Sequence, residues 1–74
     1  MFEVYKQVFK SDGEVFELAE QFGYKIDAID EAIETAKHYH YQGYEFSIAV
    51  WEIEEDPYEI VGTILMLTDS DFKW

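Results

Sequence analysis

One segment of the chain, residues 28–42, repeats its apolar residues with the period of an α-helix. It reads AIDEAIETAKHYHYQ, and the residues on its apolar face are Ile29, Ala32, Ile33, Ala36 and His40. Asp27 is placed to cap the N-terminus, and Gly43 is placed to end the helix in a left-handed conformation. The pattern predicts one helix over residues 28–42. A single helix can cover only one face of a sheet.

Four further segments have the composition of β-strands, and they come in pairs on either side of the helix. They span residues 2–9, 14–22, 44–54 and 58–68 and are rich in β-branched and aromatic residues. An SDG turn joins the first pair, and Pro57 suits the second position of a type I or II turn that joins the second pair. The sequence therefore predicts an α+β fold of order ββαββ, with a four-stranded antiparallel sheet and one helix packed on one face.

The composition is that of a small domain without covalent cross-links. The chain has 74 residues, 49% hydrophobic and 19% aromatic, which is enough to fill the core of one domain over residues 1–74. The absence of cysteine excludes disulfides and thiolate metal ligands. No segment approaches the roughly 20 apolar residues of a membrane span, and the N-terminus lacks a signal-peptide pattern. We therefore expect a cytoplasmic protein without membrane association.

The last two strands are apolar on both faces. In the third strand Phe46, Ile48 and Val50 alternate with Ala49, Trp51 and Ile53. In the fourth, Ile60, Ile64 and Met66 oppose Val61, Leu65 and Leu67. Since the helix covers one face, the other is expected to pack against a partner protein, a second copy of the chain, or the C-terminal Phe72 and Trp74. The candidates for an apolar interface or a homodimer contact are Trp51, Ile53, Leu65 and Leu67.

The charge of the chain restricts its partners. Seventeen Asp and Glu residues against five Lys give a formal net charge of -12, and the chain contains no arginine. A nucleic-acid-binding protein needs a basic patch to neutralise phosphates. We therefore expect no direct binding to DNA or RNA, and a protein partner with a basic surface.

Acidic residues concentrate around the second hairpin, in the stretch WEIEEDPYEI. Glu52 and Glu54 lie two residues apart on a strand and so about 6.6 Å apart, close to twice the 3.4 Å rise of DNA phosphates along one strand. The candidates for a charged contact are Glu52, Glu54, Glu55, Asp56 and Glu59. A second acidic patch on the helix consists of Asp30, Glu31 and Glu34. Carboxylates at this spacing suit a competitor for a nucleic-acid-binding groove, although a charge run can also serve only as a solvated surface.

Catalytic and metal-binding patterns are not found in the sequence. His38 and His40 lie roughly 200° apart around the helix axis, whereas helical zinc pairs use i and i+4. The glycines form no phosphate-cradling motif, and no serine is placed with a histidine as a nucleophile and its base. We therefore expect a non-enzymatic protein without a metal or other cofactor.

The acidic hairpin–helix–hairpin, with IDAIDEAIETAKHY as its helix and WEIEEDPYEI as its charged turn, resembles small proteins that phages and prophages encode against host defences. Anti-CRISPR proteins and other DNA-mimicking inhibitors belong to this group. The resemblance implies an inhibitor in the host cytoplasm that occupies the nucleic-acid site of a bacterial nuclease or CRISPR effector. The alternative is a generic small cytoplasmic protein, homodimeric or an adaptor, whose acidic surface only maintains solubility.

Overall fold

Two hairpins flank one helix in the computed structural model, which describes residues 1–72. The elements are β1 (Phe2–Phe9), β2 (Val15–Phe22), α1 (Lys25–Tyr41), β3 (Glu45–Glu55) and β4 (Tyr58–Thr68), followed by a short 3₁₀ helix at Asp69–Phe72. The strands form one antiparallel sheet in the order β2-β1-β3-β4. The predicted ββαββ order and the antiparallel sheet are therefore confirmed. The long hairpin β3–β4 lies at one side of the sheet and β2 is the opposite edge.

The helix begins three residues earlier than its apolar period indicated. Tyr24, with an extended backbone, is the N-cap residue, and no side chain caps this end, so the predicted cap at Asp27 is wrong. Because β2 ends at Phe22, the chain must turn at once, and Asp27 falls within the first helical turn instead. A carboxylate there still complements the positive end of the helix dipole.

The helix ends as the sequence predicts, at a glycine in the left-handed region. Gly43 has a φ of 77°. Its N–H donates to the His40 carbonyl at 3.0 Å, and the Tyr44 N–H donates to the Tyr39 carbonyl at 3.0 Å. These two bonds form a Schellman motif, which satisfies carbonyls that the last helical turn leaves open. The motif also directs the chain back into β3.

Three alanines let α1 lie close to the sheet. The fully buried residues of α1 are Ala28, Ala32 and Ala36. The side of the helix that contacts the sheet is therefore centred one residue from the predicted apolar face. His40, which was predicted on that face, is exposed. The alanines pack against the helix-side face of the sheet, whose most buried residues are Val4, Val8, Phe46, Ile48 and Val50. Small residues on the helix match large residues on the strands, which keeps the layer well filled.

The 3₁₀ helix closes the core at its C-terminal end. Phe72 packs against the core cluster, with its ring 6.1 Å from that of Phe46 and 5.3 Å from that of His40. Phe72 is therefore on the helix side, and the expectation that it covers the opposite face is wrong. The same expectation for Trp74 lies outside the described residues.

Two β-bulges interrupt β4. The register with β3 shifts between Val50 and Trp51 and again between Glu52 and Ile53, so that Ile64 and Val61 are the extra residues. As a result Ile64 packs against the core together with Leu65 and Leu67 rather than on the opposite face. The strict alternation that the sequence predicts for this strand is therefore wrong.

One lysine is buried under the helix. Lys6 lies between Val4 and Val8 on β1 and is 4% exposed. Its Nζ lies 2.6 Å from Glu20 Oε1 of β2 and 2.5 Å from Glu31 Oε2 of α1. Burial acts to lower the pKa of Lys6, but the hydrogen bonds and charges of the two carboxylates outweigh it and raise that pKa above its usual value. Lys6 thus joins the helix to two strands.

No helix within residues 1–72 is long and apolar enough to span a membrane.

Candidate functional site

The acidic residues of the second hairpin lie together at one end of the sheet. Phe2 at the start of β1 is paired with Phe22 at the end of β2 and with Glu52 on β3, so the turn from β3 to β4 extends past this end. We call this surface the acidic hairpin end, and it consists of Glu52, Glu54, Glu55, Asp56 and Glu59. All five are exposed, with Glu52, Glu54 and Glu59 on the helix side of the hairpin, Glu55 on the face away from the helix and Asp56 in the turn.

The turn itself contains two residues, Asp56 and Pro57, between the ends of β3 and β4. The peptide bond between them is cis, and Pro57 is the third residue of the turn rather than the second. The short connection keeps both strands paired up to Glu55 and Tyr58. The carboxylates therefore stand on paired strands and their tight turn rather than on a long loop.

The register places carboxylates of neighbouring strands face to face. Glu54 is directly opposite Glu59, and Glu52 is opposite Gly62, which has no side chain. Within residues 1–72 no ion pair or side-chain hydrogen bond involves Glu52, Glu54 or Glu59. Like charges directly opposite each other on an antiparallel pair destabilise it. The hairpin therefore carries concentrated negative charge that the described part of the chain does not neutralise.

No lysine within residues 1–72 forms an ion pair with the acidic hairpin end. Lys6 is held by its two internal ion pairs, and Lys10, in the first hairpin turn, lies 4.0 Å from Glu14 at the other end of the sheet. Lys37 belongs to the C-terminal half of α1, and Lys25 is its first residue. In the described chain, no ion pair joins Lys25 to the hairpin.

A tyrosine directly after the turn joins the tip of the hairpin to β1. The Tyr58 hydroxyl donates to Glu3 Oε2 at 2.6 Å, and the Gln21 amide donates to Glu3 Oε1 at 3.4 Å. Glu3 is 7% exposed, so its carboxylate depends on these donors. The hydrogen bond to Glu3 raises the pKa of Tyr58, with burial and the charge of Glu3 acting in the same direction. The Ile53 N–H also donates to the Met1 carbonyl at 2.9 Å. The hairpin is thus fixed to β1.

The second acidic patch is divided by the structure. Glu31 accepts hydrogen bonds from Lys6 and, at 2.9 Å, from the Thr35 hydroxyl. The Lys6 hydrogen bond holds the pKa of Glu31 below its usual value, against the effect of burial. Glu31 therefore belongs to the internal ion pair, whereas Asp30 and Glu34 are exposed. Sequence periodicity did not identify Lys6 as its partner, although Lys6 shares the apolar parity of Val4 and Val8 on β1.

The four apolar candidates do not share one face. Leu65 and Leu67 pack against the core beneath α1, because they pair with Val50 and Ile48. Trp51 and Ile53 lie on the open face, the face of the sheet away from the helix, and Ile53 is buried. A joint interface of all four residues is therefore wrong for this fold.

The open face is covered in part by its own side chains. The Tyr5 and Trp51 rings stack with centroids 5.3 Å apart, above Ala49, which is 5% exposed. Gln7 donates to Glu17 at 3.2 Å. Burial, and then the hydrogen bond to Glu17, raise the pKa of Tyr5. The open face therefore exposes less apolar surface than the alternation of apolar residues in the sequence indicated.

The two helical histidines make aromatic contacts. The His38 ring lies 6.1 Å from Tyr39, and His40 stacks on Phe72. Among residues 1–72, no group of three or more His, Asp or Glu side chains could hold a metal ion. His40 therefore packs against the 3₁₀ helix, whereas His38 is an exposed residue of α1.

Comparisons with known proteins identify no relative: no protein-family model, no curated protein and no solved structure matches the chain.

Proposed function

We propose that this protein is a non-enzymatic binding protein whose acidic hairpin end docks into the basic nucleic-acid-binding groove of another protein, as a DNA mimic does. The observation that carries the proposal is the unneutralised array of Glu52, Glu54 and Glu59 on two adjacent strands. Carboxylates repeat about every 6.6 Å along β3 and face each other across a strand spacing of about 4.8 Å. That arrangement offers a basic groove several anionic contacts at fixed distances.

The energetics favour a partner that supplies cations. A groove that binds DNA holds lysines and arginines whose charge is neutralised by phosphates and counterions. An acidic protein that enters the groove replaces those phosphates, and its opposed carboxylates lose their mutual repulsion when a cation lies between them. The charge that destabilises the free hairpin would thus stabilise the complex.

The scaffold supports docking without rearrangement. The Tyr58–Glu3 hydrogen bond and the Met1–Ile53 backbone bond fix the hairpin before a partner arrives. A surface that is already ordered loses less conformational entropy on binding. Together with the resemblance in size, charge and element order, this favours a bacterial nuclease or CRISPR effector as the partner and the host cytoplasm as the place of action.

Displacement of DNA tests the proposal. A fluorescent duplex is bound to each member of a panel of purified CRISPR effector nucleases and other bacterial DNA-binding proteins, and the unlabelled acidic protein is titrated in. We expect the wild type to displace the duplex from at least one of them. The double variant Glu54→Lys, Glu59→Lys should lose displacement, because it removes and reverses the charge at the centre of the array.

A matched variant carries the same change of net charge at the other end of the sheet. Glu14 and Glu45 are exposed and lie beside the first hairpin turn and at the start of β3. The double variant Glu14→Lys, Glu45→Lys should displace DNA nearly as well as the wild type. Equal loss in both double variants would show that total charge, rather than the hairpin, decides binding, and would count against the proposal.

A further inference from the structure

The two edges of the sheet are unlike. β4 is interrupted by bulges at Ile64 and Val61, which twist an edge and oppose the addition of another strand. β2 pairs with β1 without a register shift over all eight residues, and no proline or lysine lies within it. A straight edge strand without such protection presents unpaired N–H and C=O groups to any strand that can align with it.

Exposed apolar residues accompany the β2 edge. On the helix side Phe16 and Leu18 are 50% and 42% exposed, because β1 and β3 form most of the core beneath α1 and the edge strand is partly open. On the open face Val15, which is 49% exposed, and Ala19 are exposed as well. From these features we infer that β2 is a homodimer interface, in which the β2 strands of two copies pair antiparallel and join their sheets into one of eight strands.

The sequence of β2 is complementary to itself in one register. A two-fold axis through Ala19 sets each Phe16 opposite the partner copy's Phe22 and each Glu17 opposite its Gln21. Leu18 then faces Glu20, whose carboxylate is held by Lys6. No two carboxylates are directly opposite, and the aromatic pair forms twice. Shifting the axis to Leu18 would lose both aromatic pairs and set Phe16 against Glu20.

The acidic hairpin end is remote from this contact, and the repulsion at the contact itself comes from Glu17 and Glu20 on β2. The acidic hairpin end belongs to β3 and β4, and β4 is three strand spacings, about 14 Å, from β2. That distance exceeds the Debye length of about 8 Å at physiological ionic strength. In the dimer the two β4 strands are the outer edges, roughly 34 Å apart. The dimer therefore presents two acidic hairpin ends at opposite sides of one sheet.

A matched pair of substitutions tests the interface. Ala19, Tyr5, Ala49 and Met66 form one row across the sheet, so Met66 occupies on β4 the place that Ala19 occupies on β2. Met66 is 58% exposed. Ala19→Glu sets two like charges on the dimer axis, whereas Met66→Glu adds the same charge at the other edge and on the open face.

Sedimentation equilibrium provides the measurement. Edge pairing alone buries less than the roughly 1,200 Å² of a standard interface, so we expect a weak dimer. The measurement therefore extends to about 1 mM protein, in about 0.5 M NaCl to screen the repulsion between the copies. Ala19→Glu should weaken it roughly tenfold or more, and Met66→Glu should change it less than about twofold. A monomeric wild type would overturn the proposal and leave the edge to a strand of another protein. Equal weakening by both variants would overturn it in favour of the open face.

A cysteine reports the register independently of any loss of folding. The chain has no cysteine of its own, so Ala19→Cys introduces one thiol per copy. In the proposed register the two thiols lie directly opposite, with Cβ atoms about 5 Å apart, and mild oxidation should give a disulfide-linked dimer. Met66→Cys should remain mainly monomeric under the same conditions. Equal cross-linking of the two variants would contradict pairing through β2.

Discussion

Lys6 joins three elements of the fold from a buried position. It is buried at a position that the strand alternation assigns to the core, and it is held by carboxylates from β2 and α1. A buried ammonium without partners would cost several kcal/mol, so Glu20 and Glu31 are structural residues. Lys6 neutralises one of their two negative charges, so the cluster keeps a net charge of -1.

The Lys6–Glu31 contact predicts a pH-dependent stability. The folded pKa of Glu31 is below its usual value of 4.5, so Glu31 stabilises the fold above that pH and loses this effect as the pH falls through the lowered pKa. Glu31→Gln should cost roughly 1 kcal/mol near pH 7, because Glu31 is partly exposed and Glu20 still holds Lys6. Urea unfolding of both proteins between pH 7 and pH 3 should show the difference shrinking toward acid. A difference independent of pH would contradict the assignment.

The facing carboxylates of the hairpin predict a stabilising substitution. Glu59→Gln removes the like charge opposite Glu54, and we expect it to raise the free energy of unfolding by about 0.3–1 kcal/mol at low salt. Glu45→Gln, which makes the same change of net charge opposite Phe9, is the control. Thermal unfolding in low and high salt should show a gain for Glu59→Gln that exceeds the control and fades with salt. Equal gains would mean that only total charge matters.

At the level of strands and helix, the order and type of the four strands and of α1 were predictable, because each has an apolar period and a turn signal at its end. The 3₁₀ helix at Asp69–Phe72 was not predicted, because it has no such period. The bulges at Ile64 and Val61 depend on how β4 pairs with β3. Which helical carboxylate reaches Lys6 depends likewise on how α1 lies over the sheet. Local sequence contains none of this information.

The alanine stripe of α1 predicts a strong asymmetry between the two sides of the helix. Ala32 is fully buried, so Ala32→Leu forces α1 away from the strands and should cost about 1–3 kcal/mol. His38→Leu, at an exposed position of the same helix, should change stability by less than about 0.5 kcal/mol. Chemical denaturation of the two variants checks this. A small effect of Ala32→Leu would show that the layer is less closely packed than the structure indicates.

For the fold as a unit, charge is unevenly distributed. The Lys6 ion pairs reduce the negative charge of the helix-side face near β1 and β2, while the hairpin end has no such ion pair within residues 1–72. The five hairpin candidates could be placed at one end of the sheet from the sequence, because a short turn joins the two strands, although strand alternation sets Glu55 on the opposite face from Glu54. The sequence alone could not show that Glu31 pairs with Lys6 or that Leu65 and Leu67 face the core. Both facts depend on how the helix packs on the sheet.

A net charge of -12 on 74 residues predicts that salt stabilises the folded state. Repulsion among the carboxylates is screened as the Debye length falls, so the melting temperature should rise noticeably between roughly 10 mM and 0.5 M NaCl. Circular dichroism melts across this range provide the check. A melting temperature that does not change with salt would contradict this prediction, because it would mean that the hairpin carboxylates do not repel one another measurably in the free protein.

We propose that the acidic hairpin end replaces DNA in a basic groove, and the salt dependence of duplex displacement is the decisive test. The experiment uses an effector nuclease from which the wild type displaces the duplex. The inhibition constant is measured from about 50 mM to 200 mM NaCl for the wild type and for the double variant Glu54→Gln, Glu59→Gln. We predict that wild-type affinity falls steeply and linearly on a log–log plot, and that the double variant binds more weakly with a shallower slope. A wild-type affinity that does not change with salt, or a variant with the wild-type slope, would contradict the claim.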